Sequence, residues 1–219
     1  MFRVKVCGVT TEEDAAMVAA AGADALGLNF YSRSPRYVSR QKAASIVACL
    51  PEGIVKTGLF VNAPPEEVAS TFDQLGLDLI QLHGDEPAEY LVELGGRPVV
   101  RAFRVAAGGL PQVAQYLRRC LRLGCLPRLC LMDSYQEGQY GGTGCRPQWE
   151  ELRRYPLDGW NPPMVLAGGL TPRNVTQAVQ AVQPHAVDTA SGVESSPGRK
   201  DPVLVRGFVE AAKRALGAV

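Results

Sequence analysis

The feature that most constrains the fold is a regular alternation of short apolar runs and longer helix-forming segments. The first run, Val4–Cys7, alternates its side chains like a strand with one apolar face and ends at a glycine. The next segment has an acidic first turn, a run of alanines and a stop at Gly22, which is typical of a helix. The eight predicted strands lie at residues 4–7, 25–30, 55–61, 79–83, 98–104, 128–133, 164–169 and 186–192, the last range including its turn. The eight predicted helices lie at residues 11–21, 39–50, 64–76, 86–94, 110–123, 149–154, 171–182 and 201–216.

Strands that alternate with helices through short connections imply a parallel sheet, and eight such units are the number that closes a (β/α)8 barrel. We therefore predict an α/β fold, a (β/α)8 TIM barrel that forms a single domain over residues 1–219. The length and the 46% of hydrophobic residues are sufficient for one large core. The alternative is an open doubly wound sheet, which more naturally stops at about five to seven strands.

Charge and hydropathy narrow the classes of partner. The 23 basic and 22 acidic residues leave a net charge of +1, so no global field favours nucleic acid or an anionic membrane surface. No apolar stretch approaches the ~20 residues of a membrane helix, and the first residues do not resemble a signal peptide. We expect a cytoplasmic protein whose partner is a small molecule.

The cysteines are predicted to be reduced thiols. Six are present without a CxxC pair, and a domain of this size does not depend on disulfides. Cys120, Cys125 and Cys130 repeat at intervals of five, which puts them on different faces, and neither of the two histidines stands at ligand spacing. We expect no metal site and interpret these thiols as small buried hydrophobes.

Candidate functional side chains follow the predicted strands. Active sites of such barrels lie at the carboxyl ends of the strands, so the last side chains of each strand form one surface. This surface would hold Cys7 after the first strand, His83 after the fourth, Asp133 after the sixth and Asp188 after the eighth. The long loop after the second strand adds Arg33 and Arg36. Lys5 shares the strand face of Cys7, either as a group that assists the thiolate or as a structural residue inside the barrel.

Glycines follow the last three strands, where barrels commonly bind phosphate through backbone N–H groups. Each glycine alone could merely permit a tight turn, but their occurrence in successive units points to a phosphorylated substrate. The predicted phosphate-binding residues are Gly142, Thr143, Gly144, Gly168, Gly169, Ser191 and Gly192.

Taken together, these motifs resemble those of the phosphoribosylanthranilate isomerases of tryptophan biosynthesis. The matching segments are Lys5–Thr10, Ser34–Val38, Gln81–Gly84, Leu131–Asp133, Gly141–Gly144, Leu166–Leu170, Ser191–Glu194 and Gly198–Asp201. Their order and spacing span nearly the whole chain. The resemblance implies a cofactor-independent Amadori rearrangement, in which N-(5′-phosphoribosyl)anthranilate opens its ribose ring and becomes the 1-deoxyribulose phosphate.

The resemblance also implies roles for single residues. It makes Cys7 the general base, Asp133 the general acid and Arg36 the binder of the anthranilate carboxylate, a planar group that a guanidinium suits. Asp188 is a candidate for holding a ribose hydroxyl or, alternatively, a structural carboxylate. His83 is a candidate pocket residue or, alternatively, a hydrogen-bonded histidine at a strand end.

The chain departs from the family pattern at two places. Ala190 stands where a hydroxyl residue is usual before Ser-Gly, and Pro147 and Gln148 replace the usual phenylalanine and aspartate after Gly-Gly-Thr-Gly. Two alternatives stay open on the sequence. One is another phosphate-binding barrel enzyme, of the indole-glycerol-phosphate synthase or sugar-phosphate epimerase type, and the other is a noncatalytic barrel that binds a phosphorylated ligand. The sequence leaves open whether the chain forms a homodimer.

Overall fold

A computed structural model describes residues 1–105, 108–133, 146–155 and 159–217 of the protein. Eight parallel strands form a closed barrel in which each strand pairs with the next and β8 pairs with β1. The predicted TIM barrel is therefore confirmed. The strands are β1 (Val4–Cys7), β2 (Ala25–Asn29), β3 (Val55–Phe60), β4 (Leu79–Leu82), β5 (Val99–Arg104), β6 (Leu129–Asp133), β7 (Met164–Ala167) and β8 (Ala186–Thr189).

Helices surround the barrel, and several begin where side chains cap them. Thr11 accepts a hydrogen bond from the backbone N–H of Asp14, and Ser39 accepts one from Lys42. Such caps satisfy backbone N–H groups that have no partner inside the helix. The helices are α1 (Glu12–Ala20), α2 (Arg40–Ala48), α3 (Pro65–Leu75), α4 (Ala88–Glu93), α5 (Leu110–Leu123), α6 (Arg146–Leu152), α7 (Val175–Val182) and α8 (Pro202–Gly217). Among the described residues, no helix combines the length and apolar character that crossing a bilayer requires.

The alternation of side chains divides the core into two layers. Val4 and Val6 of β1 belong to the cluster that packs beneath the helices. A second cluster fills the barrel itself, and Phe2, only 1% exposed, belongs to it together with Leu79 and Leu129. Residues such as Cys7 that alternate with the outward valines consequently face the barrel interior.

The structure differs from several of the sequence-based assignments. Helix α7 begins at Val175 and not at the predicted Thr171–Pro172 cap, because Asn174 accepts a hydrogen bond from Thr171 N–H and closes a separate turn. Strand β7 ends at Ala167, before the two glycines. A 3-10 turn at Ser191–Val193 and a hairpin of β9 (Glu194–Ser196) and β10 (Arg199–Lys200) follow β8, and the sequence did not predict either.

Candidate active site

The thiol of Cys7 lies at the carboxyl end of β1 and faces the inside of the barrel. Gly27 of the neighbouring strand leaves the space for it, because a Cβ atom at Gly27 would lie 2.6 Å from the Cys7 Sγ and 3.1 Å from the Lys5 Nζ. Cys7 is 5% exposed. Sequence analysis missed Gly27, since a glycine within a short apolar strand gives no local sign of what approaches it.

Lys5 and Asp188 form a buried ion pair one layer below the thiol. The Lys5 Nζ lies 2.9 Å from Asp188 Oδ1, across the β1–β8 seam that closes the barrel. Burial disfavours the ammonium, but the charges of Asp188 and Cys7 outweigh this effect and leave the pKa of Lys5 above its ordinary value. Burial raises the pKa of the Asp188 carboxyl, against the opposing attraction of Lys5. The two residues thus place paired charges inside the barrel. This geometry is compatible with Lys5 as a group that assists the thiolate or as a structural residue, and with Asp188 as a binder of a ribose hydroxyl or as a structural carboxylate.

The structure brings His83 and Asp133 together. The His83 Nε2 lies 3.5 Å from Asp133 Oδ2, and both side chains are about one-fifth exposed, at 20% and 22%. On its other side, the His83 Nδ1 lies 3.4 Å from the amide nitrogen of Gln81, a buried residue of β4. A Gln81 N–H that donates to Nδ1 leaves the proton of a neutral imidazole on Nε2, directed at Asp133. The candidate acid therefore has a polar neighbour that can bind either of its charge states.

Arg36 reaches the site from the loop after β2. Its Nε and Nη2 donate to the two carboxylate oxygens of Glu194 at 2.8 and 2.6 Å, a bidentate pair. Gly8 permits this approach, because a Cβ there would overlap the aliphatic part of Arg36. The hydrogen bonds to Glu194 raise the pKa of the Arg36 guanidinium above its ordinary value, against the opposing effect of burial. The competing candidate Arg33 is exposed to solvent.

Glu194 and Lys200 complete this corner, although sequence analysis assigned a role to neither. The Lys200 ammonium lies 2.7 Å from Glu194 Oε1 and donates to the backbone oxygens of Cys7 and Ala190 at 2.6 and 3.1 Å. Both residues lie inside motifs that carry the family resemblance, which was the available signal. Their partners stand 158 and 193 residues away in the chain, so no local pattern reveals the contacts.

The loops after β7 and β8 are joined to each other. Gly168 and Gly169 have φ angles of 96° and 64°, a region that glycine adopts readily. The Thr189 hydroxyl donates to the Leu170 oxygen at 2.7 Å, and a Cβ at Gly192 would overlap that same oxygen. Ser191 and Gly192 begin the 3-10 turn after β8, where barrel proteins commonly bind phosphate. The predicted Gly142, Thr143 and Gly144 lie outside the described residues, as do the side chains of Pro147 and Gln148.

Comparison with known proteins identifies the family. The family model for N-(5′-phosphoribosyl)anthranilate isomerase matches residues 4–211, a range that includes all eight barrel strands. The chain belongs to this isomerase family.

Individual family members agree over nearly the full length. The chain is 46% identical to the N-(5′-phosphoribosyl)anthranilate isomerase of Geobacter sulfurreducens over 97% of this chain and 99% of that one. The crystal structure of the Thermotoga maritima enzyme superposes with a TM-score of 0.82 at 36% identity and covers 98% of this chain and 100% of that chain. A second isomerase structure, in complex with reduced 1-(o-carboxyphenylamino)-1-deoxyribulose 5-phosphate, gives a TM-score of 0.79 at 34% identity, again with 98% and 100% covered. Within the isomerase family, the barrel mouth described above is the region in which to seek the reacting groups.

Proposed function

We propose that this chain catalyses the Amadori rearrangement of N-(5′-phosphoribosyl)anthranilate in tryptophan biosynthesis, with Cys7 as general base and Asp133 as general acid. The assignment of this reaction rests on the chain's membership of the isomerase family. The assignment of roles rests on one observation, that a thiol and a carboxylate end β1 and β6 of the same closed barrel. The bound compound in the related complex is the reduced form of a phosphorylated deoxyribulose, which supports a small phosphorylated substrate.

Two proton transfers carry the reaction. The acid protonates the furanose ring oxygen, the C1′–O bond breaks, and the anthranilate nitrogen supplies the electron pair for a Schiff base. The base then removes the C2′ proton, and the electrons of that C–H bond form an enolamine, which tautomerises to the ketone product. In this scheme Cys7 acts as a thiolate, the nucleophilic and basic form of the side chain. His83 lies on the carboxylate of Asp133 and is positioned to stabilise it after proton transfer.

Arg36 and Asp188 are proposed to orient the substrate. Glu194 holds the Nε and Nη2 of Arg36 at a fixed orientation, and the guanidinium presents its other edge to the anthranilate carboxylate. One carboxylate oxygen of Asp188 accepts a hydrogen bond from Lys5, and the other can accept a hydrogen bond from a ribose hydroxyl. The acceptor capacity of a carboxylate is sufficient for both bonds.

The phosphate is proposed to bind at the loops after β7 and β8. Gly168, Gly169, Ser191 and Gly192 leave their backbone groups without bulky side chains above them, and the 3-10 turn starts here. Ala190 contributes no hydroxyl, so backbone donors supply the contacts. Gly142, Thr143 and Gly144 stay part of the proposed site on the sequence motif alone.

The decisive experiment is steady-state kinetics on synthesised N-(5′-phosphoribosyl)anthranilate, monitored through the loss of the substrate's fluorescence. We expect the purified chain to consume it, and Cys7→Ala and Asp133→Asn each to lower kcat by about 100-fold or more, the usual share of a general acid or base. Cys49→Ala removes an exposed thiol, and Asp73→Asn removes an exposed ion pair with Arg97. These two controls should turn over like the wild type.

Near-wild-type turnover in either test variant would contradict its assignment, and binding without turnover by the wild type would support a noncatalytic barrel instead. A single barrel domain over residues 1–219 and a cytoplasmic location stay predictions alongside this proposal, and whether the chain forms a homodimer stays open.

A further inference from the structure

Lys200 is a buried charge at the barrel mouth. Its side chain is 0% exposed, and its ammonium has three acceptors, on the carboxyl end of β1, on the residue after β8 and on β9. A lysine ammonium has three N–H donors, so these acceptors use its full capacity. The acceptors are the backbone oxygens of Cys7 and Ala190 and the Oε1 of Glu194.

Each acceptor belongs to a different part of the proposed machinery. Cys7 is the base, Ala190 immediately precedes the Ser191–Gly192 turn of the phosphate site, and Glu194 orients Arg36. Two further hydrogen bonds hold the hairpin in place. The backbone N–H of Lys200 donates to the Asp14 carboxylate, and the Thr10 hydroxyl donates to the Gly198 oxygen. The ammonium is therefore held at one point relative to three functional groups.

We propose that Lys200 is a positioning residue that fixes the Cys7 backbone, the phosphate turn and the Arg36–Glu194 pair relative to one another, and that its positive charge, bonded to the Cys7 backbone oxygen, favours the thiolate of the same residue. This inference rests on the proposed function for its link to catalysis. Its electrostatic part is independent of the substrate, because it concerns the ionisation of one thiol.

Several charges face Cys7, and Lys200 acts among them. Lys5 lies on the same strand, Arg36 comes from the loop after β2, and Glu194 and Lys200 come from the hairpin, while Asp188 of β8 neutralises Lys5. Because Glu194 is shared between Arg36 and Lys200, the three make a cluster with one net positive charge. Loss of the Lys200 charge makes that cluster neutral, which disfavours the thiolate.

The test measures the ionisation of Cys7 directly. The rate of alkylation by iodoacetamide is followed against pH, and peptide mass spectrometry separates Cys7 from the exposed Cys49, which serves as an internal control. In Lys200→Met we expect the Cys7 midpoint to move to higher pH by about one unit, with the Cys49 midpoint unchanged. On the phosphoribosylanthranilate substrate, the acidic limb of the kcat/KM profile should move by the same amount and KM should rise at least about fivefold.

Lys213→Met is the matched control. Lys213 also forms an ion pair, 3.1 Å from Asp24, but Asp24 precedes β2 at the opposite end of the barrel. This variant should keep the Cys7 midpoint of the wild type. A folded Lys200→Met chain with an unchanged Cys7 midpoint overturns the proposal, even if its stability falls.

Lys200→Arg carries the test if the methionine variant does not fold. Arginine keeps the charge, but its planar guanidinium cannot direct three donors from a single nitrogen, so the midpoint should stay and KM should rise at least about threefold. A shifted midpoint or an unchanged KM would overturn the proposal. Absence of turnover in the wild type would refute the proposed function, whereas the alkylation midpoints would still decide the role of Lys200.

Discussion

At the scale of single residues, side chains at the mouth of the barrel fit only because a neighbouring residue is glycine. Gly27 has no side chain, and the Cys7 Sγ and the Lys5 Nζ occupy the volume that one would fill. Gly8 stands in the same relation to Arg36. Two of the proposed functional side chains thus take their positions from a neighbouring glycine, and the strength of these packing constraints can be tested.

Gly27→Ala is predicted to impair catalysis more than folding. The new methyl group would meet the Cys7 Sγ at 2.6 Å, so the thiol must rotate or the strands must separate. Overpacking of this kind typically costs about 1–3 kcal/mol, and displacement of a reacting atom by about 1 Å can cost about 100-fold in rate. We expect kcat/KM to fall at least about tenfold in a chain that still unfolds cooperatively, as measured by steady-state kinetics and thermal denaturation.

Gly207→Ala provides the control for this prediction. Gly207 lies in α8, and a Cβ there would have its nearest neighbour at 3.6 Å, an ordinary contact. This change should leave the rate unchanged and stabilise the helix by roughly 0.5–1 kcal/mol. Equal rates in the two alanine variants would argue against a packing constraint on Cys7.

At the scale of elements, the hairpin β9–β10 is the least predictable part of the site and the one that joins most of it. Its strands are only three and two residues long, so no alternation of side chains could announce them. What holds the hairpin is charge. Burial opposes the ionisation of Glu194, but the bonds from Arg36 and Lys200 outweigh burial and hold the pKa of Glu194 below its ordinary value of 4.5.

This lowered pKa predicts a pH-dependent contribution to stability. A carboxyl group whose pKa is lower in the folded chain stabilises the fold above its unfolded value, near 4.5, and loses that contribution as the pH falls through the folded value. Glu194→Gln should therefore be less stable than the wild type at pH 7 by about 1–3 kcal/mol, as expected when one partner of a largely buried pair is neutralised. The difference should shrink as the pH falls below 4.5 and vanish below the folded pKa of Glu194, where the wild-type carboxyl is neutral as well.

Thermal unfolding of both chains across this pH range is the measurement. Glu67→Gln is a suitable control, because Glu67 is half exposed and its ion pair with Arg40 is 3.8 Å long. Surface pairs of this kind contribute little. A difference between wild type and Glu194→Gln that stays constant from pH 7 to pH 3 would rule out an ionised Glu194 as the source of the stability.

At the scale of the whole molecule, the two ends of the barrel divide the work. The carboxyl end holds the proposed reacting groups, whereas the amino end is closed by apolar packing around Phe2. In barrels of this class, residues at the amino end serve stability and those at the carboxyl end serve catalysis. The fully buried Phe2 allows this division to be tested with one substitution.

Phe2→Ala should destabilise the protein by about 3–5 kcal/mol, the usual cost of removing a buried phenylalanine. For a chain of this size the unfolding midpoint should fall by roughly 10 °C. At 25 °C, where the folded state still dominates, kcat should stay within about twofold of the wild type. Differential scanning calorimetry and kinetics on the same preparation give both values, and a proportional loss of kcat would contradict the separation of the two ends.

The sequence could predict the features that depend on local patterns, but not those that depend on contacts between distant residues. Strands and helices follow from local side-chain patterns, and the barrel follows from their number. The fold could therefore be predicted from the sequence, and the structure confirms it. Helix α7 was placed too early because Thr171 and Pro172 have the residue types of a helix start, while the competing turn depends on Asn174. Glu194 and Lys200 were missed as functional residues because their meaning lies in pairings across the closed barrel, which no local pattern records.

The closing seam between β1 and β8 also orders events in time. Cys7 is synthesised before its contact Lys200, which stands 193 residues further along the chain, and before the last strand of the barrel. A nascent chain therefore carries its proposed base long before the charges that surround it can assemble. Enzymatic turnover would then report ring closure, because Cys7 and the charges around it meet only when β8 pairs with β1.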